Sequence, residues 1–107
     1  KTIKNSVRTR CASECRAAGV NATEIRIPSR TMADILREYS IRHIDFFSLD
    51  VEGAELDVLR SIAWREVTFS VILVENNYSS TAVEEFLSEN GYGKVESRYC
   101  DEIYTKI

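Results

Sequence analysis

A chain of 107 residues with 44% apolar content can build one core, and a domain of this size buries roughly two-thirds of the surface that its unfolded chain exposes. Its net charge of -3 offers no basic field to release counterions from phosphates, which argues against nucleic acid as a partner. No apolar run approaches the ~20 residues that span a bilayer and the start of the chain lacks a signal-peptide core, so no membrane association is expected; the three cysteines, Cys11, Cys15 and Cys100, cannot all pair and fit a reducing, cytoplasmic compartment.

Lys1, Lys4, Arg8, Arg10 and Arg16 cluster near the start without interleaved aromatics and read as a solvated segment. Residues 1–22 show weak periodicity, a helix or loop that stops near Gly19. From Thr23 to Ile27 the alternation of Ile25 and Ile27 with polar residues predicts a short half-exposed strand closed by Pro28. Met32, Ile35, Leu36 and Tyr39 stand at i, i+3, i+4 and i+7 behind a Thr31/Asp34 capping pair, which predicts an amphipathic helix to about Tyr39.

Ile44 to Leu49 is an apolar run of strand length that ends abruptly in Asp50-Val51-Glu52-Gly53. Leu56, Val58, Leu59 and Ile62 predict a short helix over Glu55 to Ile62, and Phe69 to Val74 repeats the buried-strand pattern before Glu75-Asn76-Asn77. Strand, helix and strand in that order predict a parallel pair joined by a crossover. A further helix starts at Ser80 or Thr81 with Glu84 in capping position, turns Val83, Phe86 and Leu87 inward, and stops at Asn90-Gly91. Lys94 to Tyr99 and Glu102 to Ile107, split by Cys100-Asp101, predict an antiparallel pair. The fold class is α/β: a mixed sheet with parallel central strands and a terminal antiparallel strand pair.

Ligands bind outside the carboxyl ends of parallel strands, so Asp50, Glu52 and Glu75 are expected at the mouth of a crevice. The plain alternative makes Asp50 and Glu52 caps of the following helix, worth about 0.5–2 kcal/mol. His43 precedes its strand and belongs at the opposite end of the sheet. Trp64 and Phe69 read as packing residues, while Tyr78 lies close enough in sequence to Glu75 to meet a ligand. No metal is assigned, although a hard cation could use the oxygens of Asp50, Glu52 and Glu75.

Ser48-Leu49-Asp50-Val51-Glu52-Gly53-Ala54-Glu55, Val58-Leu59, Val74-Glu75-Asn76-Asn77, Gly91-Tyr92 and Asp101-Glu102-Ile103-Tyr104, in that order, resemble the carboxy-terminal half of FkbM-type S-adenosylmethionine-dependent methyltransferases. The resemblance runs from about Pro28 to Ile107 and is most specific in the segment from Leu49 to Glu55. It implies a Rossmann-like methyltransferase fold, here its fourth to seventh strands, so that residues 1–107 form a single partial domain with 1–27 as a lead-in. It also implies S-adenosylmethionine as methyl donor and a hydroxyl on a sugar, polyketide or similar small molecule as acceptor. An alcohol acceptor needs a base as the new bond forms. Asp50 and Glu52 are the catalytic candidates; Asp50, Val51, Glu52 and Gly53 the cofactor contacts; and Glu75, Asn76, Asn77 and Tyr78 the acceptor contacts.

The family's glycine-rich turn after a first strand and acid after a second have no counterpart among Gly19, Gly53, Gly91 and Gly93 and their neighbours. The expectation is therefore an incomplete domain that is inactive in isolation and prone to self-association through an exposed sheet edge. Two other classes compete: a non-catalytic α/β interaction module, and a phosphatase of the haloacid dehalogenase type, which would need Asp in place of Glu52 and a downstream lysine with an acidic pair.

Overall fold

The computed structural model describes residues 5–107, with side chains from Cys11 onward; Lys1 and Lys4, and the side chains of Arg8 and Arg10, lie outside the described residues. The chain divides into two units after Arg30. The first contains one helix, α1 (Asn5–Ala17), closed by Val20 N–H donating to the Cys15 carbonyl and by Gly19 at φ 72. The strand expected over Thr23 to Ile27 does not form, and Ile25 and Ile27 are each 74% exposed. Alternation prepares a strand, but only a backbone ladder makes one.

The second unit, Thr31–Ile107, runs α2 (Met32–Glu38), β1 (His43–Leu49), α3 (Glu55–Arg60), β2 (Thr68–Glu75), α4 (Thr81–Glu89), β3 (Tyr92–Arg98) and β4 (Asp101–Lys106). Its sheet has the order β1-β2-β4-β3. β1 and β2 are parallel with Leu49 opposite Val74; β4 is antiparallel to both β2 and β3. The predicted pairs are thus present, with β4 placed between β2 and β3 and a bulge at Lys94/Glu96.

Opposite residues of a ladder share a sheet face, so Phe47, Leu49, Ile72, Val74 and Tyr104 stand on one side. That side is sealed: Leu36 of α2, Leu59 of α3, and Val83 and Leu87 of α4 join Leu49, Ile72, Val74 and Tyr104 in one hydrophobic cluster. β1 is less buried than its apolar run predicts. Only Leu49 is fully buried, and Phe46, on the other face, is 59% exposed. Trp64 and Phe69 are packing residues as expected, in an aromatic cluster with Phe86 and Tyr92 at centroid distances of 5.3 to 6.1 Å.

The helix ends follow local chemistry. Thr31 Oγ1 accepts from Asp34 N–H at 3.1 Å, the expected cap of α2, although Tyr39 ends up exposed just past the last turn. For α4 the cap is Ser80, whose Oγ accepts from Ala82 N–H. Glu84 then falls one position too late for a capping box and instead receives a hydrogen bond from Lys94 Nζ.

Candidate active site at the carboxyl ends of β1 and β2

The register that sets Leu49 against Val74 places Asp50 level with Glu75, the last residue of β2. One carboxylate oxygen from each of Asp50, Glu52 and Glu75 lies within 4.8 Å of the others. Three residues singled out from sequence therefore converge. Two carboxyl groups this close cannot both ionise freely. The adjacent Asp50 carboxyl, first, and then burial hold the Glu75 carboxyl above the ordinary glutamate range, against the hydrogen bonds of Asn77 and Cys100.

Glu75 is the hub. Asn77 Nδ2 donates to its Oε2 at 2.9 Å, and Cys100 Sγ donates to its Oε1 at 3.6 Å. Burial, then the Glu75 charge, push the Cys100 thiol up in turn. Cys100 and its neighbour Asp101 arrive through the β2–β4 ladder, in which Asp101 stands opposite Glu75. Sequence reading missed both because antiparallel pairing across 26 residues leaves no local signal.

The turn after β1 is tight. Ala54 N–H donates to the Val51 carbonyl at 3.3 Å, and the two central residues, Glu52 at φ 51 and Gly53 at φ 101, are both left-handed, the conformation of a type I′ turn. Neither Asp50 nor Glu52 caps α3, whose cap position is Ala54 without a side-chain bond. Glu55 Oε1 instead accepts from Val51 N–H and Gly53 N–H, both at 3.1 Å. The sequence marks Glu55 only as the first residue of the expected helix.

The acceptor candidates are less uniform. Asn76 clamps the backbone of Ser80, donating from Nδ2 to its carbonyl at 2.8 Å and accepting its N–H on Oδ1 at 3.1 Å. The Tyr78 ring lies over the bare Cα of Gly53, where a Cβ would stand 3.2 Å from Cε2. The crevice itself is shallow: Asp50 and Glu52 are exposed and Glu75 half-buried, so the acids sit on an open ledge. A cleft of about 260 Å³ lies at the other end of the sheet, beside Leu36, Ile41 and Val67, where Arg37 grips Glu66 through two bonds of 2.8 and 2.9 Å. His43 is also at that end, bonded to Thr68 and Ser70. Three clustered carboxylate oxygens are half of the ~6 ligands that a hard cation takes.

The family profile of the methyltransferase FkbM domain matches residues 3–93. The chain belongs to the FkbM methyltransferase domain family. The matched stretch includes β1, α3, β2 and α4 with Asp50, Glu52, Gly53 and Glu75, and it ends before Asp101–Tyr104. Methyl transfer is thus the general activity of the domain, and the phosphatase alternative has no support. Comparisons with curated proteins and with solved structures give no match. No helix among the described residues is long and apolar enough to cross a membrane.

Proposed function

We propose that this FkbM domain transfers a methyl group from S-adenosylmethionine to a hydroxyl of a sugar, polyketide or similar small molecule, at the ledge formed by Asp50, Glu52 and Glu75. The observation that carries the reading is the convergence of the Asp50 and Glu75 carboxyl groups, with oxygens within 4.8 Å of each other, at the ends of two adjacent parallel strands, the position at which such sheets bind ligands. S-adenosylmethionine, when bound, supplies a methyl group on a positively charged sulfur. The donor set suits that charge: Asp50 and Glu52 are exposed carboxylates, with Val51 between them and Gly53 next in the chain. The fit is one of charge; the open side of Gly53 is already covered by Tyr78.

Glu75, with its carboxyl held above the usual range, is a stronger base than an ordinary glutamate and is the group we assign to accept a proton from an acceptor hydroxyl. Asn77 fixes the orientation of that carboxylate, and Tyr78 offers its outer face to the acceptor. An odd number of cysteines suits a reducing, cytoplasmic setting. NMR titration with S-adenosylmethionine tests the reading even at millimolar affinity. Amide shifts should concentrate in residues 49–54 and 75–78; shifts confined to the cleft around Leu36 and Val67, or none at all, would overturn it.

A further inference from the structure

Glu55 is the charged side chain that the fold buries most fully among the described residues, 7% exposed. A carboxylate is withdrawn from water only at a cost that hydrogen bonds must offset. Here both visible bonds come from the backbone of the turn that precedes it, and both end on the same oxygen, Oε1. The turn needs such a brace. Glu52 occupies the left-handed region at φ 51, which disfavours a residue with a Cβ by roughly 1–2 kcal/mol. With Gly53 also at positive φ, the N–H groups of Val51 and Gly53 converge on one point, and Glu55 fills that point.

We propose that Glu55 is a positioning residue: its buried carboxylate locks the Val51–Ala54 turn in its left-handed shape and so fixes where Glu52 stands beside Asp50 and Glu75. The effect on activity rests on the methyltransferase reading; the locking of the turn does not. A competing role for Glu55 is favourable contact of its charge with the amino end of α3. The two separate cleanly. One neutral oxygen can accept both N–H groups, so Glu55→Gln keeps the lock and loses the charge, whereas Glu55→Ala loses both.

Amide hydrogen exchange of the whole chain, read by NMR without ligand, makes the distinction. In the native protein the Val51 and Gly53 amides should be protected. In Glu55→Ala they should exchange at least about tenfold faster while the Ile72 and Val74 amides keep their protection, and Glu55→Gln should stay close to native. Exchange at the free-peptide rate in the native protein, unchanged exchange in Glu55→Ala, or Gln behaving like Ala would each overturn the proposal. If the Ala variant fails to fold, the native and Gln measurements still decide it. S-adenosylmethionine titration of the same samples separates the two readings: native shifts at Glu52 that vanish in Ala and return in Gln support the functional role. An absence of shifts in the native protein counts against the methyltransferase site alone.

Discussion

The carboxyl pair of Asp50 and Glu75 sets a sign that can be measured. Because Asp50 raises the Glu75 carboxyl above its unfolded value, the folded state holds that proton more tightly than the unfolded chain does. The associated stability is complete below the ordinary glutamate range, about pH 4, and is lost as pH rises through the raised value. Asp50→Asn removes the neighbouring charge while an amide can still donate to Glu75. We expect this variant to melt at a higher temperature than the native protein at pH 7–8, with the advantage gone at about pH 4, and to bind S-adenosylmethionine more weakly. Such a gain of stability with loss of ligand is what a site built on repulsion should show. Equal melting temperatures at both pH values would remove the coupling on which the general-base role of Glu75 depends.

Among the elements, β2 shows how a strand is completed by a side chain. Its ladder with β4 begins only at Val71, and the buried Phe69 N–H is taken by the Tyr92 hydroxyl of β3 at 2.9 Å. Tyr92→Phe keeps the ring in its aromatic cluster but leaves that N–H without its acceptor, a loss of about 1–3 kcal/mol that denaturant unfolding would register. A smaller change would mean that water reaches the strand start. The contrast between β2 and residues 23–27 explains what was legible in the sequence. β1 and β2 could be read because an apolar run between polar stops has few other solutions, and α2 because Thr31 and Asp34 act within one turn. The partner of a strand is a distant choice, so the missing ladder at Ile25 and Ile27 left no trace. The same limit applied at the site: Asp50, Glu52 and Glu75 announced themselves as strand-end acids, but the brace from Glu55 and the approach of Cys100 depend on backbone shape and on β2–β4 register.

For the whole molecule, the placement of the acids limits what these 107 residues can hold. A drug-sized ligand is usually buried over 70–90% of its surface in a pocket of about 300–1,000 Å³. The ledge of Asp50, Glu52 and Glu75 is open to solvent on the side of its two exposed carboxylates, so charge complementarity acts there in water, where a unit pair at 4 Å gains only about 1 kcal/mol. We therefore expect S-adenosylmethionine to bind this chain with a Kd of about 1 mM or weaker, which corresponds to about 4 kcal/mol, and to bind still more weakly as salt screens the acids. The sheet adds a second constraint. Among the described residues β1 pairs with β2 alone, and Phe46, on one face of this edge strand, remains 59% exposed, the kind of edge that another strand completes. A second copy of the chain is the occupant we propose, since β1 would then meet an edge of equal length. Calorimetry with S-adenosylmethionine and light scattering across protein concentration test both consequences. A monomer at all concentrations that binds the cofactor at micromolar Kd would show that the ledge closes over its ligand and that the β1 edge is already satisfied within one chain.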